Sequence, residues 1–123
     1  MKRRQTGTRG ELLAAGYLRS QGFTILETNY RCSEGEIDIV ARDGETMVFV
    51  EVKARRNRNF GSPEESVTPA KQQRLRLAVT RYCEEHPGTP EQRRIDVVAV
   101  EMDAAGEPTR IELIRNAVGE ASS

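Results

Sequence analysis

Residues 35–54 read GEIDIVARDGETMVFVEVKA. Alternating apolar runs flank Asp43-Gly44, which is the strongest short-range signal for a β-hairpin because both central positions of a type I′ turn need positive φ. With these two residues as the loop, Glu36 would lie directly opposite Glu51. The sequence therefore predicts two antiparallel strands in a defined register.

Side chains alternate across a strand, so this hairpin is expected to have one apolar face and one charged face. The apolar face would hold Ile37, Ile39, Ala41, Val48, Val50 and Val52, and the charged face Glu36, Asp38, Glu51 and Lys53. Carboxylates that are about 5 to 7 Å apart at Cβ repel, and a divalent cation would neutralise them. Charged residues are also common on solvated hairpins, at a cost of only about 0.2–1 kcal/mol per adverse pair. Geometry alone leaves both interpretations open.

The length and composition are typical of one globular domain spanning residues 1–123, with frayed tails expected at residues 1–6 and 119–123. No apolar run approaches the length of a membrane span, and the basic N-terminus lacks a signal-peptide core. We therefore expect a cytoplasmic protein without a membrane partner. Cys32 and Cys83 are expected to be free thiols.

The net charge is zero, but the charges are segregated. Residues 1–31 and 53–81 carry net charges of +4 and +6, whereas residues 32–52 and 82–123 each carry −5. An acidic strand pair is thus flanked by basic segments. A pocket that holds a metal ion with carboxylates and phosphate with Lys and Arg would need this arrangement. Charge blocks on ordinary solvated helices give the same pattern.

The remaining elements follow from caps and periodicity. Thr8 to Glu11 reads TRGE, a capping box, which predicts a helix over residues 9–21 and gives Glu11 a capping role. A strand follows at residues 23–30. Thr68 as N-cap and Pro69 as first residue predict a second helix to about residue 85.

The buried stripe of this second helix is expected to comprise Leu75, Ala78, Val79 and Tyr82. A strand buried on both faces is predicted over residues 94–102, and a weaker edge strand over residues 110–114. Without the weaker edge strand, the order is helix, three strands, helix, strand, which is typical of an α/β domain.

Basic residues surround the charged face of the hairpin. Arg55, Arg56 and Arg58 lie in or near a polar loop after the second hairpin strand, where guanidinium groups can bind phosphate bidentately. Lys71 and Arg74 lie off the apolar stripe of the second helix and are available to a polyanion. These five residues are the candidate nucleic-acid contacts, although a solvated loop would have the same composition.

The element order, with Asp38 on one hairpin strand and Glu51-Val52-Lys53 on the next, resembles the restriction-endonuclease-like superfamily of PD-(D/E)xK nucleases. The strings GEIDIVARD, FVEVKAR, NYR and RIDVV look like the YraN-like family of uncharacterised small bacterial proteins assigned to that superfamily. The superfamily's proline is replaced by Ile37. The resemblance implies a restriction-endonuclease-like core, with a mixed central sheet flanked by helices.

The resemblance also implies a mechanism. Asp38, Glu51 and the carbonyl of Val52 would coordinate Mg²⁺ or Mn²⁺, Lys53 would orient the attacking water, and Glu11 would support a second metal or its water. The implied function is a metal-dependent nuclease that hydrolyses DNA phosphodiester bonds, with branched DNA and repair intermediates as candidate substrates.

A non-catalytic nucleic-acid-binding or adaptor module with the same fold is the alternative. Sparse aromatic residues favour DNA over RNA as the partner. A homodimer stays open at this stage.

Overall fold

Five strands form one mixed sheet that has a helix on each face. The computed structural model describes residues 5–56 and 66–119. The elements in chain order are α1 (Gln5–Ser20), β1 (Thr24–Cys32), β2 (Gly35–Asp43), β3 (Thr46–Arg55), α2 (Pro69–Glu85), β4 (Arg93–Met102) and β5 (Pro108–Val118). The strands lie in the order β1-β2-β3-β4-β5; β3 and β4 are parallel, and the other neighbours are antiparallel. This confirms the predicted mixed α/β sheet, with β5 longer than the expected residues 110–114.

Both faces of the hairpin are buried, so the prediction of one apolar and one charged face is wrong. Val40 and Phe49 pack with α2 on one side of the sheet, and Ile39 and Val50 pack with α1 on the other. Ile37 was expected beside Ile39 but belongs to the cluster on the α2 side. The charged side chains instead gather where the hairpin strands end, next to both helices.

The register of the hairpin differs from the prediction by two residues. Asp43 pairs with Thr46, so the loop is Gly44-Glu45, and Gly44 has a φ of 63°. Glycine at the first loop position is the preference of a type II′ turn. Asp43 is held at the strand end by ion pairs with Arg94 at 3.3 Å and Arg115 at 3.4 Å.

Because the shift is an even number of residues, the side chains in the paired part of the hairpin, residues 39–43 and 46–50, keep their predicted strand faces, and Ile37 beyond it does not. The register pairs Ile39 with Val50, which brings Asp38 level with Glu51. The predicted pairing of Glu36 with Glu51 is therefore wrong.

Helix α1 begins earlier than predicted. It starts at Gln5, so Thr8 and Glu11 lie inside the helix, and the predicted capping box is wrong. The carboxylate of Glu11 has no capping role as a result. The helix ends as expected before Gly22, which has a φ of 94°. Frayed tails were expected at residues 1–6 and 119–123. Gln5 and Thr6 instead belong to α1, and Gly119 is described. The remaining residues of both tails lie outside the described residues.

Helix α2 confirms its predicted boundaries and buried face. Thr68 is the N-cap, its hydroxyl oxygen accepts a hydrogen bond from the Lys71 N–H at 3.3 Å, and Pro69 opens the helix. The buried residues of α2 are the predicted Leu75, Ala78, Val79 and Tyr82. Cys32 and Cys83 are free thiols. Neither helix described in the structure is long and apolar enough to cross a membrane.

Candidate active site

A cavity of about 400 Å³ lies at the C-terminal half of β3, where both helices meet the hairpin. Its lining residues come from α1, β2, β3 and α2: Glu11, Glu36, Asp38, Glu51, Val52, Lys53, Ala54 and Lys71. Every residue that the sequence assigned to catalysis or metal binding lines this one cavity. We call it the acidic cavity.

Asp38 faces the acidic cavity because β2 separates from β3 at this point. Continuing the register would place Ile37 opposite Val52, yet the Val52 N–H donates to Asp38 Oδ2 at 2.8 Å. The carboxylate therefore takes the place of a backbone carbonyl in the ladder. Ile37 is released to pack on the α2 side, which explains its unexpected position.

The same hydrogen bond orients the backbone of Val52. In an antiparallel ladder the N–H and C=O groups of one residue point towards the same neighbouring strand. Because the Val52 N–H points to Asp38, the Val52 carbonyl is directed to the same side of β3. An aspartate carboxylate and a backbone carbonyl therefore face one edge of the acidic cavity.

Glu51 is the centre of a compact charge cluster. It is only 7 % exposed, and its Oε2 atom lies 3.5 Å from Lys53 Nζ and 3.3 Å from Lys71 Nζ. Lys53 follows Glu51 on the same face of β3, whereas Lys71 reaches the same oxygen from the first turn of α2. The sequence predicted Lys53 as the neighbour of Glu51 but placed Lys71 only among the nucleic-acid contacts.

Burial perturbs the ionisation of this cluster. Burial, followed by repulsion from Glu51, raises the pKa of Asp38 to about 7, although the Val52 N–H acts in the opposite direction. Burial and the neighbouring Lys71 lower the pKa of Lys53. A carboxyl that resists ionisation beside a lysine that loses its proton more readily than usual is typical of sites that bind cations or transfer protons.

Glu11 reaches the acidic cavity because α1 lies very close to β3. A Cβ atom built on Gly10 would be 2.4 Å from the Cβ of Ala54, so only glycine fits there. This role of Gly10 was not predicted from the sequence, although a glycine next to a candidate acid within a helix is a signal for such close packing. Across residues 5–56 and 66–119, no three His, Cys, Asp or Glu side chains form a group that could hold a metal. Glu11 therefore lines the cavity without completing a three-carboxylate cluster.

A second cavity of about 320 Å³ adjoins the acidic cavity. Its lining residues are Arg31, Cys32, Gly35, Glu36, Lys71, Arg74 and Leu75. Glu36 and Lys71 line both cavities, so the two are adjacent. We call this second one the basic cavity, because its lining includes the predicted contacts Lys71 and Arg74 together with Arg31, which was not predicted from the sequence.

Two of the predicted arginine contacts, Arg55 and Arg56, lie at or just after the end of β3 and line neither cavity. Arg56 donates a hydrogen bond to the Ala104 carbonyl at 2.7 Å and lies against Gly106, so it holds the β4–β5 turn. Arg55 is half-buried at the end of β3 and lines neither cavity. Arg58 lies outside the described residues.

Residues 10–100 match a family model described as uncharacterised protein family UPF0102. The chain belongs to the UPF0102 family. It is 52 % identical over 109 residues to a UPF0102 protein of Arthrobacter sp., covering 89 % of this chain and 92 % of the relative. A UPF0102 protein of Dehalococcoides mccartyi is 48 % identical over 118 residues, covering 96 % of each chain.

A third UPF0102 relative, from Syntrophus aciditrophicus, is 49 % identical over 113 residues, covering 92 % of this chain and 87 % of the relative. Membership of UPF0102 confirms the predicted relationship to a family of uncharacterised proteins. The residues matched to the family model include all those that line the acidic cavity.

One further acid of this UPF0102 chain lies away from the cavity. Asp96 is fully buried on β4, accepts hydrogen bonds from Arg94 Nε at 3.0 and 3.1 Å, and accepts another from the Asn116 N–H at 2.8 Å. Asp96 therefore pairs with Arg94 and the Asn116 backbone and does not line the acidic cavity.

Proposed function

We propose that this protein is a metal-dependent nuclease that hydrolyses DNA phosphodiester bonds on a restriction-endonuclease-like fold. The observation that carries the proposal is the convergence of Asp38, Glu51 and Lys53 in one cavity, from two strands and at almost full burial of both carboxylates. Burying two carboxylates together is costly unless a cation compensates them. Phosphodiester hydrolysis is a reaction for which such a cation is useful.

The donor atoms of the acidic cavity suit Mg²⁺ or Mn²⁺. Asp38, Glu51 and the Val52 carbonyl offer oxygen ligands, which hard divalent cations prefer, and Mg²⁺ usually completes its shell with water and substrate phosphate. When bound, such an ion acidifies a coordinated water and offsets the charge that develops on the phosphate. Two carboxylates and a carbonyl are a sufficient protein contribution for that arrangement.

Lys53 is suited to act on the attacking water. Its side chain is 20 % exposed and is held against Glu51 at 3.5 Å, so the amine stays within the cavity. The lowered pKa from burial and from Lys71 increases the fraction of neutral amine, which can accept a proton from water. In its charged form, the same group would stabilise negative charge on the phosphate.

The basic cavity indicates where a nucleic-acid substrate would lie relative to the acidic cavity. Arg31, Lys71 and Arg74 lie beside the acidic cavity, where they would contact the phosphates that flank the cleaved bond. No aromatic side chain is found among the described residues that line the two cavities. Duplex DNA is therefore favoured over single-stranded nucleic acid, which is commonly bound by stacking on aromatic side chains.

A non-catalytic nucleic-acid-binding module is the second candidate, and one observation favours it. Lys53 and Lys71 already neutralise Glu51 without a metal ion. A protein that uses the same fold only to bind DNA or a partner could keep the cluster for stability.

Cleavage of a labelled panel distinguishes the two candidates. The panel contains single-stranded, duplex, flap and four-way-junction DNA, together with RNA, each incubated with Mg²⁺ or Mn²⁺. We expect metal-dependent cleavage that falls at least about 100-fold in Lys53→Ala and Asp38→Asn. Glu45→Gln is the matched control, because Glu45 is 90 % exposed in the hairpin turn.

Cleavage that persists unchanged in the two cavity variants would refute the nuclease proposal and indicate a contaminant. Binding of DNA without cleavage in any metal would favour the second candidate. The oligomeric state measured in the same preparations tests the homodimer, because cutting both strands of a junction requires two sites.

A further inference from the structure

We propose that Lys71 is an exchangeable cation: it neutralises Glu51 while the acidic cavity lacks metal, and it turns to the phosphate side when a divalent cation binds. The inference rests on the proposed metal-dependent nuclease and deepens it. It assigns Lys71 a positioning role that links metal binding to nucleic-acid binding, rather than a role as one basic contact among several.

The position of Lys71 between the two cavities supports this role. It is one of two residues that line both the acidic and the basic cavity, and the other, Glu36, is acidic. Its Nζ atom lies 3.3 Å from Glu51 Oε2. Arg31 and Arg74 line the other side, so the same ammonium group would be close to a bound phosphate after a change of side-chain rotamer.

The local structure fixes the backbone of Lys71 and leaves its side chain partly exposed. The Lys71 N–H donates to the Thr68 hydroxyl at the N-terminus of α2, which anchors the main chain. The side chain is 37 % exposed, compared with 20 % for Lys53. The more exposed lysine loses fewer packing contacts when it moves and enters water more directly, so Lys71 rather than Lys53 is expected to leave Glu51.

Electrostatic repulsion would drive Lys71 away from Glu51 when a divalent cation binds. Three cations around one buried carboxylate, two lysines and a divalent metal, would repel one another at distances of about 4 Å. Departure of Lys71 removes part of this repulsion and places a positive charge where phosphate binds. Metal and nucleic acid would then bind with positive coupling, and the coupling must be the same in both directions.

Removal of the Lys71 charge provides the test. We expect Lys71→Ala to bind Mn²⁺ about tenfold more tightly than the wild type in isothermal titration calorimetry without nucleic acid. Arg74→Ala is the matched control: it lies three residues further along α2, lines only the basic cavity, and should change the Mn²⁺ affinity by less than about twofold. Asp38→Asn should lose Mn²⁺ binding.

A second measurement follows the coupling itself. The affinity for duplex DNA is measured with and without Ca²⁺, which binds oxygen ligands, and cleavage is monitored in parallel. In the wild type, Ca²⁺ should increase the affinity more than it does in Lys71→Ala. Lys71→Arg keeps the charge and should restore both the coupling and the wild-type Mn²⁺ affinity, which a purely structural role of Lys71 would not predict.

The outcomes separate the two proposals. If the wild type and Lys71→Ala bind Mn²⁺ equally well and Asp38→Asn does not, the exchange role of Lys71 is overturned and the metal site stands. Weaker Mn²⁺ binding by Lys71→Ala would also overturn the inference. If neither the wild type nor Lys71→Ala binds Mn²⁺, the proposed nuclease site itself fails.

Discussion

Replacing Asp38 with asparagine should change how stability depends on pH in the metal-free protein. Asp38 is 6 % exposed, and burial together with Glu51 raises its pKa to about 7 from an ordinary value of 3.8. A difference of this size corresponds to at most about 4 kcal/mol. The carboxyl oxygen also accepts the Val52 N–H, and the amide oxygen of asparagine can accept the same hydrogen bond.

The direction in which stability changes with pH follows from proton binding. The folded protein holds the Asp38 proton more tightly than the unfolded chain does, because its folded pKa is raised. The stabilisation is therefore fully present below pH 3.8 and is lost as the pH rises through about 7. Asparagine does not ionise, so the free energy of unfolding of the wild type should fall relative to that of Asp38→Asn across this window, by up to about 4 kcal/mol.

Urea unfolding followed by circular dichroism measures this difference. The experiment is done with EDTA at several values between about pH 4 and pH 8 for the wild type, Asp38→Asn and the control Glu45→Gln. Glu45 is 90 % exposed, so its variant should run parallel to the wild type. A difference between the wild type and Asp38→Asn that stays constant over this range would refute the raised pKa and the electrostatic argument built on it.

Three further predictions concern the packing at Gly10, the helix cap at Thr68 and the buried ion pair at Asp96. Gly10→Ala should destabilise the protein by about 1–3 kcal/mol, because the new methyl group meets Ala54 at 2.4 Å, and adding Ala54→Gly should recover part of the loss in thermal unfolding. Thr68→Ala should cost about 1 kcal/mol, measured by urea unfolding, and Thr68→Ser should retain most of that stability. Asp96→Ala should cost about 2–4 kcal/mol, because it leaves the Asn116 N–H without its buried acceptor and leaves Arg94 with Asp43 as its remaining partner. A change in melting temperature no larger than that of Thr68→Ala would contradict this.

Local sequence signals predicted α2 closely and α1 only in part. The cap at Thr68, the proline after it and the buried stripe depend on residues within one or two turns, and all three agree with the structure. The TRGE string at Thr8 was misleading because a helix that begins at Gln5 places it inside the first turns. A capping pattern does not specify a cap when the preceding residues also continue the helix.

The hairpin illustrates the same limit at the level of tertiary contacts. Asp43-Gly44 correctly located a turn, but ion pairs from β4 and β5 hold Asp43 in the strand and move the loop by one residue. The prediction that Asp38 and Glu51 lie close together stayed correct, because the register changed by two residues and an even shift keeps paired side chains on the same face. A shift of one residue would have placed Asp38 and Glu51 on opposite faces of the sheet from each other.

The sequence by itself determined the main elements of this protein and the grouping of Asp38, Glu51 and Lys53, because strand periodicity and hairpin formation are local properties. Only the tertiary structure decided that β2 separates from β3 at Asp38, that Gly10 lets α1 bring Glu11 to the cavity, and that Lys71 crosses from α2 to Glu51. These features depend on how closely distant segments pack and on which buried charges must be compensated. Residues far apart in the chain set both conditions together, so no local pattern in the sequence contains them.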